Sequence, residues 1–111
     1  MIAREARHYG FNVLLGGTAG LVRDPRAGRN YEMPGEDPLL SGLMAAAKIN
    51  GIESRHVMST IKHFAMNAQE TGRHKLSANI DEQALQESDL LSFRYACLLY
   101  TSDAADEGLG V

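Results

Sequence analysis

Two short blocks hold most of the side chains in this sequence that could do chemistry. Arg23-Asp24-Pro25-Arg26-Ala27-Gly28-Arg29-Asn30 gathers three arginines around a proline and a glycine, directly after an apolar stretch. Lys62-His63-Phe64 sets an ammonium beside an imidazole at the end of another. Lysine offers three donors, and histidine offers one donor or acceptor at each ring nitrogen. A planar guanidinium can hold two oxygens at once in a geometry that lysine does not match. Groups of this kind suit a ligand built of hydroxyls, such as a sugar. Gly28 lets the backbone turn without a Cβ clash just before Arg29.

These blocks need elements to hold them in place. Residues 3–9 read as the last turns of a helix, with Gly10 as its stop. The apolar run over residues 11–15, bounded by Gly10 and Gly16-Gly17, suits a strand buried on both faces of a parallel sheet. A long polar loop over residues 16–34 follows, and loops of that length are commonly functional. Asp37-Pro38 is a strong helix start, with Asp capping and Pro at the first helical position. Leu39, Leu40, Leu43, Met44 and Ala47 recur at helical spacing, and Gly51 marks a stop. Residues 56–64 form a second strand, with Val57 and Ile61 on one face and Met58, Thr60 and Lys62 on the other. A short extended piece is expected at residues 75–80. Asp81 then caps a last helix through Tyr95, with Ala84, Leu91 and Tyr95 sharing a face.

Strand and helix in alternation are the mark of a parallel α/β protein. Both polar blocks fall just after a strand, where α/β barrels carry their chemistry. Periodicity alone does not separate a closed barrel from an open doubly wound sheet.

Composition bounds the remaining possibilities. A chain of 111 residues is one domain at most. Its net charge of −3 suggests neither a nucleic-acid nor an anionic-membrane partner. No apolar run approaches a membrane span, and the first seven residues lack the apolar core of a signal peptide. One cysteine, Cys97, excludes an internal disulfide framework and a cysteine-rich zinc site. His8, His56 and His74 are isolated, so no metal site and no cofactor are expected.

The two blocks, together with Gly35-Glu36-Asp37-Pro38-Leu39-Leu40 and Asn67-Ala68-Gln69-Glu70-Thr71, resemble the N-terminal barrel domain of glycoside hydrolase family 3, in its β-glucosidase branch. The resemblance covers about residues 4–96. It implies an α/β fold that is part of a (β/α)8 TIM barrel, roughly a third of one. It implies substrate contacts from Arg29, Lys62 and His63. Asn67, Glu70 and Arg73 would fix the surrounding loop. Arg23 and Arg26, with Asp24 and Glu32, read as an internal salt-bridge scaffold, and Glu36 and Asp37 as structural rather than catalytic. Ala68 departs from the usual Asp or Asn.

The implied activity is retaining, exo-acting hydrolysis of a terminal β-linked glucose from a β-glucoside or oligosaccharide. Such enzymes use a nucleophilic and an acid/base carboxyl group. In the family the nucleophile lies in a Ser-Asp-Trp-like motif, and this chain has no tryptophan. No catalytic residue is therefore expected here, and the remainder of a parent chain would supply both. A periplasmic or secreted parent is expected, with a cytoplasmic one as the alternative. β-Xylosidase and β-N-acetylhexosaminidase are the rival activities. The latter continues Lys-His-Phe with Pro-Gly-His-Gly, whereas this chain continues with Ala65-Met66-Asn67. A reading from a different class is a non-catalytic or unfolded fragment with at most weak sugar binding. From Cys97 the sequence resembles a translated sequencing-library adapter, so residues 1–96 are expected to be the family segment and residues 97–111 a non-native tail.

Overall fold

The computed structural model describes residues 1–107. Helix α1 (Ile2–His8) precedes strand β1 (Val13–Thr18). A single 3-10 turn (Asn30–Glu32) interrupts the long connection to helix α2 (Pro38–Glu53). Strand β2 (Met58–Lys62), short helix α3 (Glu82–Glu87) and helix α4 (Asp89–Glu107) follow. β1 and β2 pair in parallel, Val13 opposite Met58 and Thr18 opposite Lys62, with an irregularity between Leu14 and Gly17. Parallel neighbours require a crossover, and α2 provides it. This α/β arrangement brings the C-terminal ends of both strands, and so both polar blocks, to one edge.

The caps act locally. Asp37 accepts hydrogen bonds from the Leu39 and Leu40 amides at 2.7 and 3.0 Å, with Pro38 opening the helix. Asp81 does the same for Gln83 and Ala84 at 3.0 and 3.4 Å. Each satisfies amides that the first helical turn leaves without a carbonyl.

Packing departs from the expected faces. α2 buries Ser41, Gly42, Ala45, Ala46, Ile49 and Ile52, while Leu39, Leu40, Leu43 and Met44 are 45–51 % exposed. The reason is close approach to α4. A Cβ on Gly42 would stand 2.6 Å from the Tyr95 Cβ and 2.9 Å from the Ser92 carbonyl oxygen. Only small residues fit such a contact. α4 buries Ser92, Phe93 and Ala96; of the expected Ala84, Leu91 and Tyr95 face, Tyr95 does meet α2 at Gly42, Leu91 and Tyr95 are half-buried, and Ala84 lies on α3 and is exposed. The buried Ser92 hydroxyl donates to the Ala19 carbonyl at 2.6 Å and so ties α4 to the end of β1. Ala19, Ala45, Ile49, Phe93 and Ala96 form one core cluster, and Ala3, Ala6, Ile52 and Val57 form the other.

Further boundaries move for identifiable reasons. β1 runs through Gly16 and Gly17, which pack under Ile52 and beside Ile61, instead of stopping before them. It is covered on one face only: Val13 and Leu15 are exposed. α2 continues through Gly51, and the left-handed residue that follows it is His56 at φ 56°. Residues 75–80 join no sheet. The single helix expected from Asp81 breaks at Ser88 into α3 and α4. The stretch from Cys97 continues α4 as far as Glu107, and residues 108–111 of the expected non-native tail lie outside the described residues. Among the described residues no helix is long and apolar enough to cross a membrane.

Candidate functional site

The loop after β1 and the end of β2 face each other across a small cavity. Leu21, Met33, Met66 and Phe93 form its apolar wall, and Arg29, Glu32, Lys62 and His63 its polar wall. Gly28, at φ 83°, makes the turn that presents Arg29, a conformation that L side chains seldom adopt. Lys62 is the last residue of β2. The Lys62–His63 and Phe64–Ala65 peptide bonds are cis, and Met66 adopts φ 64°. The turn at Met66 returns Asn67 to within 3.5 Å of the His63 ring.

Arg29 is the hub. Its Nη1 lies 3.2 Å from His63 Nδ1 and donates to Glu70 Oε1 at 3.2 Å, while its Nε donates to Glu32 Oε1. The other Glu32 oxygen faces Lys62 Nζ at 3.5 Å. Glu70 also accepts from Asn67 Nδ2 at 3.0 Å and from Arg73 at 3.2 Å. The six residues expected from the sequence lie together: Arg29, Lys62, His63 and Asn67 line the cavity, and Glu70 and Arg73 stand in the network behind it.

The remaining scaffold differs from expectation. Arg26 and Asp24 do pair, in an exposed loop contact at 2.9 Å. Arg23 instead reaches across to the buried Asp89 and to Ser88, at the break between α3 and α4. Glu32 belongs to Arg29 and Lys62. Its signal was the i,i+3 spacing from Arg29 within one helical turn. Asp89 carried no local signal, since 66 residues separate it from Arg23.

Electrostatics define what the site can do. Burial first, then the charges of Arg29 and Lys62, push the His63 pKa below 6.5. The Arg29 hydrogen bond holds the Glu32 carboxyl below its usual range. At Glu70 burial works in the opposite direction but is outweighed by hydrogen bonds from Asn67 and Arg29 and the charge of Arg73, and its pKa is lowered too. A general acid needs a carboxyl whose pKa is raised, and these two are held ionised. Arg29 Nη2 and His63 Nε2 have no partner among the described residues, and Lys62 Nζ has only Glu32. Three donor groups are therefore available to oxygen atoms of a ligand. Among the described residues no group of three or more His, Cys, Asp and Glu is placed to hold a metal ion.

Known proteins share this arrangement of elements. Residues 1–104 match the Glycosyl hydrolase family 3 N terminal domain. A putative beta-glucosidase of Schizosaccharomyces pombe is 41 % identical over 96 residues, which are 86 % of this chain and 12 % of that protein. Beta-glucosidase B of Emericella nidulans is 44 % identical over 95 residues, 86 % of this chain and 11 % of that one. Among solved structures, beta-glucosidase 3B from Thermotoga neapolitana in complex with alpha-D-glucose superposes with a TM-score of 0.83 at 42 % identity, covering 85 % of this chain and 13 % of that one. DesR, a beta-glucosidase from Streptomyces venezuelae in complex with D-glucose, gives 0.82 at 40 %, covering 87 % and 12 %. The chain therefore spans about an eighth of the length of the relatives it matches. With the match running over nearly its whole length, the chain belongs to glycosyl hydrolase family 3, in the N-terminal domain of that family.

Proposed function

We propose that this chain forms part of the glycone pocket of a retaining, exo-acting β-glucosidase. The observation that carries the reading is the convergence of Arg29, Lys62 and His63, from two separate connections, on one cavity with a donor group available on each. A pyranose presents hydroxyls around its rim, and charge-assisted donors bind them more strongly than neutral ones. The relatives' names, and the glucose held by two of the superposed structures, support a glucoside as substrate.

The β1–α2–β2 unit is taken as two strands of a (β/α)8 barrel, with the pocket at the C-terminal ends of the strands as in such barrels generally. The exposed Phe11, Val13, Leu15 and Met58 fit strands that further barrel residues would cover. Glycoside hydrolysis needs two carboxyl groups about the scissile bond. Glu32 and Glu70 are each bound to cations and held ionised, so neither suits the acid role. The nucleophile and acid/base are assigned to other segments of the longer protein, and the 111-residue chain alone is inactive. A glucosidase is favoured over an N-acetylhexosaminidase because Ala65-Met66-Asn67 follows Phe64 in place of Pro-Gly-His-Gly.

The test is a chimera in which residues 4–96 replace the matched segment of the Thermotoga neapolitana enzyme. It is expected to hydrolyse a chromogenic β-glucoside. Arg29→Ala, Lys62→Ala and His63→Ala should each lower kcat/KM about ten-fold or more, the charged contacts being worth roughly 1.5–3 kcal/mol. Arg4→Ala, on α1, should be silent. Unchanged kinetics in all three pocket variants would remove the basis of the reading.

A further inference from the structure

Glu32 stands between two cations that come from different parts of the chain. Arg29 arrives on the loop after β1, and Lys62 ends β2. Both line one cavity, where two positive charges repel and would spread apart without a counter-charge. Glu32 gives one carboxylate oxygen to Arg29 Nε and the other to Lys62 Nζ. It spends the inner edge of the guanidinium on itself, and so leaves Arg29 Nη2 free. The side chain is only 19 % exposed, so the pairing is poorly screened by solvent.

The backbone of Glu32 is fixed as well. Its carbonyl accepts from the Thr18 hydroxyl at the end of β1. Its amide donates to the Arg29 carbonyl at 3.2 Å and closes the 3-10 turn. The next residue, Met33, packs against Gly20, where an added Cβ would lie 3.4 Å from its Sδ. The backbone that carries the carboxylate is thus tied to the end of β1 through Thr18, and the carboxylate itself reaches β2 through Lys62.

We propose that Glu32 is a positioning residue of the pocket, setting the separation and orientation of Arg29 and Lys62 for a shared sugar ligand. The inference rests on the glycone-pocket reading above. Glu32 does not itself transfer a proton: its oxygens are occupied by the two cations. It is set apart from a loop salt bridge by bridging to β2, since the Arg29 contact alone would be satisfied within the turn. A glutamine in its place keeps one oxygen for one cation, turns an NH2 donor toward the other and carries no negative charge.

The experiment uses the active full-length chimera and reads kinetics with a chromogenic β-glucoside. Glu32→Gln is expected to lower kcat/KM about ten-fold with the melting temperature of the chimera little changed. In a Lys62→Ala background the same substitution should cost less than about three-fold, because the partner it positions is gone. Glu32→Asp keeps the charge but is one methylene too short to span both cations, and should show an intermediate loss. It is the second arm if the glutamine variant does not fold. Full activity in Glu32→Gln or in Glu32→Asp, or an equal loss with and without Lys62, would overturn the proposal. If Arg29→Ala and Lys62→Ala are themselves silent, the pocket reading has failed. If they are damaging while Glu32→Gln is silent, the positioning role alone has failed.

Discussion

Arg29 Nη1 lies 3.2 Å from His63 Nδ1 and can only donate, which fixes that ring nitrogen as an acceptor. Asn67 Nδ2 approaches the same nitrogen at 3.5 Å. Neutral His63 therefore carries its proton on Nε2, the atom left free for a ligand. The expectation is that nitrogen NMR of the isotope-labelled chain shows the Nε2–H tautomer at neutral pH. A proton found on Nδ1 would contradict the network, and Arg29→Ala should let the tautomers mix.

The exposed sheet face should make the isolated chain self-associate. Val13 and Met58 sit opposite each other in the register, and Leu15 and Phe11 continue the same apolar face. Leu39, Leu40, Leu43 and Met44 add a second exposed strip. Apolar patches and open sheet edges of this kind drive association. Sedimentation should show oligomers for the unmodified chain and mostly monomer after Val13→Thr, Leu15→Thr and Met58→Thr together. A monodisperse monomer without these changes would refute the expectation.

Acidification should destabilise the fold in two stages. His63 titrates below 6.5 when folded but at about 6.5 when unfolded. Between those values the unfolded chain holds more protons, so stability falls as pH drops from about 6.5 and levels off below the folded pKa. Glu32 and Glu70 have folded pKa values below 4.5, so the stability they contribute is full above about 4.5 and is lost as pH falls through those values. Denaturant unfolding of the threonine triple variant across pH measures both stages. His63→Gln should abolish the first and leave the second; retention of the upper stage would assign it elsewhere.

The contact of Arg23 with Asp89 should respond unequally to its two deletions. Asp89 is 5 % exposed, whereas the Arg23 side chain is 39 % exposed. Arg23→Ala leaves a buried carboxylate without its cation and should cost about 3 kcal/mol. Asp89→Ala leaves an arginine that water can reach and should cost about 1 kcal/mol. Chemical unfolding of both variants in the threonine background checks the order, and the reverse order would disprove this account.

Two helical glycines on α2 should behave oppositely. Gly42→Ala drives a Cβ to 2.6 Å from Tyr95 and should cost about 1–3 kcal/mol through overpacking. Gly51 has nothing within 4 Å of an added Cβ, so Gly51→Ala should stabilise by about 0.5–1 kcal/mol. Thermal melts that rank the two the other way would mean that α2 and α4 do not pack as described.

Features that depend on neighbours along the chain can be read without a structure. Asp37 and Asp81 were legible as caps because a carboxylate reaches amides two and three residues on, and covalent geometry fixes that reach. The β–α–β alternation was legible from spacing, and the family resemblance was what pointed to Arg29, Lys62, His63, Asn67, Glu70 and Arg73 as one neighbourhood. Tertiary structure decided the rest. It chose the small-residue face of α2 over its leucines, because the distance of closest approach to Ser92 and Tyr95 sets the side-chain size that fits, and hydrophobicity carries no record of that distance. It drew Arg23 to Asp89, and it moved Glu32 from a loop scaffold to the gap between Arg29 and Lys62. A charge has no preferred partner until the fold brings opposite charges close, and these partners became neighbours only when the loop after β1, the end of β2 and the start of α4 were packed together.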